Sequence, residues 1–118
     1  MSTMAYMERY LSKFLLIDMT FFRKVYSLVS KIPPGKVTTY GLIAKKIGTK
    51  DARKVGFALH ANKSSSIPCH RVVNVRGELA KNFAFSGENE QRARLMAEGV
   101  LFLDDHRVDM KKCAIMDI

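Results

Sequence analysis

Two short amphipathic helix patterns, separated by a turn that contains Gly48, constrain the fold of this chain more than any other feature of its sequence. The first pattern begins at Thr39, whose hydroxyl can cap a helix, and ends at Gly48. The second follows directly and can be capped by Thr49 or by Asp51. One face of each pattern is apolar, with Leu42, Ile43 and Ile47 in the first and Ala52, Val55, Ala58 and Leu59 in the second. Helix, short glycine turn, helix is the arrangement of a helix-turn-helix motif.

A further helix is predicted ahead of this motif. Its apolar residues recur at spacings of three and four: Phe21, Phe22, Val25, Leu28, Val29 and Ile32. The helix is expected to stop at Pro33-Pro34-Gly35, because proline cannot continue the backbone hydrogen-bond ladder. Residues 36–38 are then a short connector, and residues 1–18 are interpreted as an N-terminal extension.

Residues 67–79 predict a β-hairpin. Residues 67–73 pass from loop to strand, Asn74 to Gly77 form the turn, and Glu78-Leu79 is the returning strand. Three helices followed by a hairpin predict a mainly α fold with a small β-hairpin, a winged helix-turn-helix DNA-binding domain over residues 19–118.

The last predicted helix covers residues 88–98. Ser86 can cap its start and Gly99 can end it, with apolar positions at Ala93, Leu95 and Met96. Residues 100–103 are expected to form a short strand, and a charged tail follows. Cys113 is expected to be a free thiol near that exposed tail.

Positive charge is concentrated in one stretch of the chain. The net charge is +9, from 20 basic and 11 acidic residues, and residues 19–63 alone hold ten basic residues and one acidic residue. Residues 83–118 have seven acidic and five basic residues. A localised basic region is typical of a protein that binds a polyanion. Composition alone leaves open whether it is a binding face or a solvated surface.

Composition also excludes several classes of protein. Apolar residues make up 47% and charged residues 26%, which is globular. No apolar run approaches the roughly 18 residues of a membrane span, and no secretory signal is recognisable. Cys69 and Cys113 form no CxxC pair, so neither a disulfide nor a zinc site is expected. A reduced cytoplasmic location is expected, nucleoid-associated if the source is bacterial, with no cofactor, no metal and no membrane partner.

The segment Pro68-Cys69-His70-Arg71-Val72 resembles the active-site motif of the O6-alkylguanine-DNA alkyltransferases. Four further segments resemble that family in the same order and spacing, from about Thr20 to Leu103. They are Gly35-Lys36-Val37-Thr38-Thr39-Tyr40-Gly41, Arg53-Lys54-Val55-Gly56, the hinge asparagine Asn62 and Ala97-Glu98-Gly99.

The resemblance implies a nucleophilic mechanism. Cys69 would attack the O6-alkyl carbon of a damaged guanine and keep the alkyl group, so that each molecule reacts once. His70 would act as the base through a water, and Glu98 would hold that histidine in position. Asn62, at the hinge, is counted with these catalytic residues.

The resemblance also implies a set of residues that contact DNA. The helix that carries Arg53 would lie in the minor groove of a duplex containing O6-alkylguanine, and Arg53 would fill the space that the extruded base leaves. Tyr40 would help to turn the backbone at the 3′ phosphate. Small residues permit close approach there, namely Ala52, Gly56 and Ala58. Thr39 and Arg71 are placed with the DNA-contacting residues.

Two departures from the family pattern leave two functions open. Residues 1–18 cannot supply the family's additional N-terminal domain, and residues 76–87 lack the tyrosine of its active-site loop. The short form resembles the alkyltransferase-like proteins, which bind O6-alkylguanine without the cysteine, often have tryptophan in its place, and pass the lesion to nucleotide excision repair. The chain is expected to be a monomer that either transfers the alkyl group to Cys69 or only binds and flags the lesion. Arg53, Gly56 and the segment around Cys69 argue against a third candidate, a sequence-specific regulator.

Overall fold

The computed structural model describes residues 19–81, 83, 85 and 87–118. The interpretation of residues 1–18 and the capping role of Ser86 lie outside the described residues. None of the described helices has the length and apolar character needed to cross a bilayer. The division of the chain at residue 18 stays a prediction.

Three helices form the N-terminal half of the domain. Helix α1 includes residues 19–29, α2 is Tyr40–Ile47, and α3 is Ala52–Ala61. Thr39 caps α2 by accepting a hydrogen bond from the Leu42 N–H, and Asp51 caps α3 in the same way. Gly48 ends α2 at φ +99°, a conformation that glycine adopts without steric cost. The predicted helix-turn-helix motif is confirmed.

The β-structure differs from the predicted hairpin in its strand pairing. Strand β1, Thr38–Thr39, lies in the stretch predicted as a connector and pairs in parallel with β2, Val72–Val73. All four residues are buried, as the strands of a parallel pair covered on both faces require. The turn from Asn74 to Gly77 forms, with the Gly77 N–H donating to the Asn74 carbonyl at 2.9 Å. Glu78 then pairs with Arg107 instead of closing a hairpin on β2.

The C-terminal residues fold back onto the domain, and the prediction of an exposed charged tail is wrong. Helix α4 is Glu88–Ala97 and a short helix α5 is Met110–Cys113. The Ile115 N–H donates to the Val37 carbonyl at 2.8 Å, which ties the chain end to the residue before β1. Val108 and Cys113 are both buried, and these two apolar anchors outweigh the charged residues around them. In place of the predicted strand over residues 100–103, the structure has a single antiparallel bridge between Phe102 and Val108.

Two apolar clusters hold the elements together. The first joins α1, α2 and α3 to the start of β2, and contains Val25, Val29, Ile32, Ile43, Ala44, Val55, Ala58, Leu59, Cys69, Val72 and Phe83. The second joins α4 and the C-terminal segment to the strands, and contains Val37, Val73, Leu79, Leu95, Val100, Val108 and Cys113. Of the apolar positions predicted for the last helix, Leu95 is buried whereas Ala93 and Met96 are exposed. The mainly α, winged helix-turn-helix fold class is confirmed.

Candidate active site and DNA-facing surface

Cys69 begins a single 3₁₀ turn, Cys69–Arg71, that directly precedes β2. The residue is only 5% exposed, and its sulfur accepts a hydrogen bond of 3.2 Å from the Asn62 side-chain amide. Asn62 is itself fixed, since its Oδ1 accepts from the Ser64 N–H and its Nδ2 also donates to the Ser64 carbonyl. The hinge at the end of α3 therefore positions the sulfur.

Burial raises the pKa of the Cys69 thiol, and the hydrogen bond from Asn62 and the charge of Arg94 lower it only in part. The sulfur is therefore protonated at neutral pH. Because the thiolate is the nucleophilic form of cysteine, reaction at Cys69 requires a base to remove the proton.

The structure brings together His70 and Glu98, to which the family resemblance assigns the roles of base and orienter. The His70 Nε2 lies 2.9 Å from the Glu98 Oε1. Burial lowers the pKa of His70 despite the opposing effect of Glu98, so the imidazole is neutral at pH 7 and can accept a proton. Within the described residues, no hydrogen bond joins His70 to the Cys69 sulfur, which fits transfer through a water.

Arg71 fixes Glu98 from the other side. Its Nε lies 3.1 Å from each carboxylate oxygen and its Nη2 also donates to Glu98, while its Nη1 donates to the Ile32 carbonyl at 2.7 Å. Burial alone would raise the pKa of Glu98, but the hydrogen bonds from Arg71 and His70 lower it overall. Gly35, at φ +85°, lets the turn before β1 lie close to Glu98, because a Cβ on this residue would be only 3.2 Å from the Glu98 carbonyl oxygen. Arg71, predicted to contact DNA, directs its guanidinium into the protein.

Gln91 is a residue of this site that the sequence analysis missed. It is fully buried in α4, where its Nε2 donates to the carbonyls of His70 and Val72 at 3.2 and 3.1 Å. Its Oε1 accepts from the Ala80 N–H at 2.7 Å. One side chain thus connects the backbone of the active-site turn to the loop after β2. The signal that could have revealed it is its position four residues before Leu95, on the buried face of the helix.

A small cavity of about 40 Å³ opens onto the Cys69 side chain. Helix α3 and the loop after β2 enclose it, and its lining is Tyr40, Gly56, Leu59, His60, Cys69, Ala80 and Phe83. Pockets that hold ligands usually measure roughly 300–1,000 Å³, so this cavity must open to admit a base. The Tyr40 ring lies 3.9 Å from the place a Cβ on Gly56 would occupy, and burial raises the pKa of Tyr40.

Phe83, in the loop after β2, lines the cavity and lies next to Phe85. The guanidinium of Arg94 lies over the rings of Phe83 and Phe85, 5.5 and 4.8 Å from their centroids. These two phenylalanines occupy the loop that lacks the family tyrosine. Arg94 thereby connects α4 to the loop that covers the sulfur.

The remaining predicted DNA contacts lie on the α2–α3 side of the domain. Arg53 is exposed at the second position of α3. Ala52, Thr39 and Tyr40 line an adjoining groove of about 490 Å³, although the Thr39 hydroxyl is already used as the cap of α2. Ala58 is fully buried, so its small side chain cannot allow the close approach to DNA that the sequence analysis predicted for it.

Among residues 19–81, 83, 85 and 87–118, no group of three or more histidine, cysteine, aspartate or glutamate residues could hold a metal ion. The two cysteines are both free thiols.

Comparison with known proteins relates the chain to a repair family. The family model described as "6-O-methylguanine DNA methyltransferase, DNA binding domain" matches residues 20–100. Alkyltransferase-like protein 1 of Schizosaccharomyces pombe is 46% identical over 82 residues, which cover 68% of this chain and 76% of that protein. The DNA base-flipping protein of Escherichia coli is 38% identical over 97 residues, which cover 79% and 72%.

A solved complex gives the structural counterpart. The crystal structure of S. pombe Atl1 in complex with damaged DNA containing O6-carboxymethylguanine superimposes with a TM-score of 0.72 at 37% identity. The match covers 81% of this chain and 94% of that one. The likeness therefore extends over nearly the whole of the described fold.

Proposed function

Because this chain belongs to the O6-methylguanine DNA methyltransferase family, through the DNA-binding domain of that family, we propose that it repairs alkylated DNA directly. In this proposal it binds O6-alkylguanine in duplex DNA from the minor groove, flips the base and transfers the alkyl group to Cys69. The likeness to a protein solved with damaged DNA and to DNA base-flipping proteins supports the binding and flipping steps.

One observation carries the transfer step. The Cys69 sulfur lines a cavity whose other wall is the helix that carries Arg53, and the adjacent His70 is a neutral base held by Glu98. A base rotated out of the stack beside α3 would enter the cavity that contains the sulfur. The proposal therefore assigns the role of nucleophile to Cys69, that of base to His70 and that of orienter to Glu98.

The reaction balances with these groups alone. His70 takes the thiol proton through a water, and the thiolate attacks the alkyl carbon, so that a sulfur–carbon bond forms as the carbon–O6 bond breaks. The electron pair of the broken bond stays on guanine, which takes up the proton that His70 received from the thiol and becomes the unmodified base. The thioether at Cys69 does not regenerate, and each protein molecule reacts once.

A second candidate function is a binding module that flips and flags the lesion for nucleotide excision repair without alkyl transfer. Burial raises the pKa of the Cys69 thiol, which disfavours the thiolate that transfer requires and so favours this candidate. The likeness to alkyltransferase-like protein 1 supports it as well.

Intact mass after incubation with an O6-methylguanine duplex separates the two functions. Transfer predicts the mass of one added methyl group, mapped by peptide analysis to Cys69. Cys69→Ala should gain no mass yet still bind, and Cys113→Ser, which removes the other thiol, should react like the wild type. Wild-type protein that saturates the duplex and stays unmodified would leave the binding module as the function.

The cellular setting belongs to the same proposal. The proposed protein is cytoplasmic and acts as a monomer on duplex DNA. Its two free, buried thiols are consistent with the reducing cytoplasm. The basic residues 19–63 supply the charge for DNA binding.

A further inference from the structure

Helix α3 carries an exposed aromatic side chain that the proposed mechanism does not use. Phe57 is 67% exposed, although Val55, Ala58 and Leu59 of the same helix are buried in the core. Single exposed apolar residues are common on protein surfaces. The exposure of Phe57 therefore becomes informative only through its position.

That position is one helical turn beyond Arg53. Residues four apart lie on the same face of a helix, so Arg53 and Phe57 form one exposed row, beside the row of Ala52 and Gly56 that faces Tyr40 and the cavity. Four residues advance a helix by about 6 Å, whereas successive bases on a strand are about 3.4 Å apart. A helix that runs along the groove with Arg53 at the vacated base therefore brings Phe57 to within about two bases of that site.

The ring is held in place from behind. The centroid of Phe57 lies 6.1 Å from that of Phe22 on α1, at an interplanar angle of 59°, and Phe22 packs in turn on Tyr26. The Tyr26 hydroxyl donates to the Ala58 carbonyl at 2.6 Å, which ties α1 to α3 next to Phe57. An exposed ring supported in this way is presented to a partner with little freedom left to lose.

We propose that Phe57 is an apolar minor-groove contact that packs against the sugars and base edges of the step beside the extruded nucleotide. This inference rests on the proposed function, because it requires α3 to lie in the groove. Proteins that open the minor groove use phenylalanine in this way, since an apolar wedge replaces the stacking that is lost when a step is pried apart. The lysine-rich surroundings of α3 favour a nucleic acid as the occupant of this face over an apolar protein partner.

Salt-dependent binding distinguishes this role from a charge contact. Binding to undamaged and to O6-methylguanine duplexes is measured over a range of salt for the wild type, Phe57→Ala, Lys45→Ala and Met96→Ala. Phe57→Ala should bind both duplexes about tenfold more weakly, as expected when an aromatic contact with DNA is removed. The slope of log affinity against log salt concentration should stay unchanged. Lys45→Ala should instead reduce the magnitude of that slope by about one. Met96, which is 60% exposed on α4, is the matched control and should have no effect.

The remaining outcomes are equally decisive. Phe57→Ala that binds like Met96→Ala, with or without a lower Tm, overturns the inference and assigns the ring to packing within the chain. Phe57→Leu keeps apolar volume against Phe22 and should show a smaller loss in the same direction, which covers the case that the alanine variant does not fold. Wild-type binding without preference for the lesion overturns the proposed function alone, since the undamaged duplex still tests Phe57. Wild-type protein that binds no DNA overturns both.

Discussion

The hydrogen-bond network of His70, Arg71, Gln91 and Glu98, here called the relay, lies in the same domain as the exposed row of α3. The two regions differ in how their side chains are held. In the relay, Glu98 is held by Arg71 and His70, and Gln91 makes three hydrogen bonds to backbone groups. On the exposed row, Arg53 and Phe57 reach into solvent. Under the proposed function, the groups around Cys69 are organised before DNA binds, whereas the exposed row gains its partners only on binding.

The comparison orders substitutions by their effect on the free energy of unfolding. Each hydrogen bond in the relay satisfies a group that is largely removed from water, so its loss leaves an uncompensated partner. A side chain on the exposed row has no such partner in the free protein. The loss of stability should therefore be largest when Glu98 is substituted, smaller when Gln91 is substituted and smaller again when His70 is protonated. Substitution of Arg53 should cause almost none.

The largest effect is expected for Glu98→Gln. Removing the charge leaves the largely buried guanidinium of Arg71 without its carboxylate, which we expect to cost about 3 kcal/mol of stability. Urea unfolding monitored by circular dichroism measures the loss. Glu90→Gln on the same helix is the matched control, because Glu90 pairs with Arg94 near the surface, and it should cost less than about 0.5 kcal/mol. Equal costs for the two variants would contradict the contrast between relay and surface.

Gln91→Leu should have the next largest effect. The substitution nearly conserves volume but leaves the Ala80 N–H and the carbonyls of His70 and Val72 without their partner, at a cost of about 2 kcal/mol. The same variant should alter the rate at which iodoacetamide alkylates Cys69, since the turn and the covering loop are no longer connected. A variant that unfolds like the wild type would show that water replaces the amide.

Gln91 also illustrates where prediction from the sequence ended. The helix-turn-helix and the cap at Thr39 followed from local patterns, and Asp51 was one of two candidates for the cap of α3. The pairing of His70 with Glu98 came from the family resemblance, and the structure brings the two side chains together. Gln91 is polar and carries no local motif, and its partners lie eleven to twenty-one residues away in sequence. Contacts of that range depend on tertiary packing rather than on periodicity.

The prediction for the C-terminal segment was wrong for a related reason. Its many charged residues predicted a solvated tail, but Val108 and Cys113 are enough to bury it against Val37 and α4. The parallel pairing of Thr38–Thr39 with Val72–Val73 could not be predicted either, because two residues per strand give no alternation to count. The Arg71 guanidinium was assigned to DNA because a basic motif residue carries no sign of which way it points.

Titration of the relay should have a smaller effect than either substitution. The pKa of His70 is lowered by burial and that of Glu98 is lowered overall, so the unfolded chain binds protons more readily than the folded one. Stability should therefore be full above about pH 6.5, decrease below it as His70 takes up a proton, and decrease again below about pH 4.3 through Glu98. The Tm measured from pH 8 to pH 4 tests the sign.

His106 provides an internal contrast. Its pKa is raised by Glu88, which lies 2.5 Å away on the surface, so its contribution is present below about pH 6.5 and is lost as the pH rises. His106→Gln should leave the decrease on acidification intact, whereas His70→Gln should remove its upper part. A pH profile that His70→Gln does not change would mean that the relay histidine is not coupled to folding.

The smallest effect on stability is expected for Arg53→Ala, and it is paired with a large effect on function. An exposed side chain without a described partner should change the free energy of unfolding by less than about 0.5 kcal/mol. Its proposed work is to hold the gap in the stack, so a fluorescent base analogue next to the lesion should lose its unstacking signal in this variant. Lys45→Ala, which removes only charge, should keep the signal once binding is saturated.

Protein concentration distinguishes a wedge from a phosphate contact. Mass action restores occupancy when a phosphate contact is lost, because that loss lowers affinity and nothing else. It cannot restore a side chain that fills the space of an extruded base, so the wedge role predicts a missing signal even when Arg53→Ala saturates the duplex. Full recovery at high concentration would remove Arg53 from the flipping step. Arg53 would then be a phosphate contact only, and Phe57 would remain a candidate on α3 for holding the stack open.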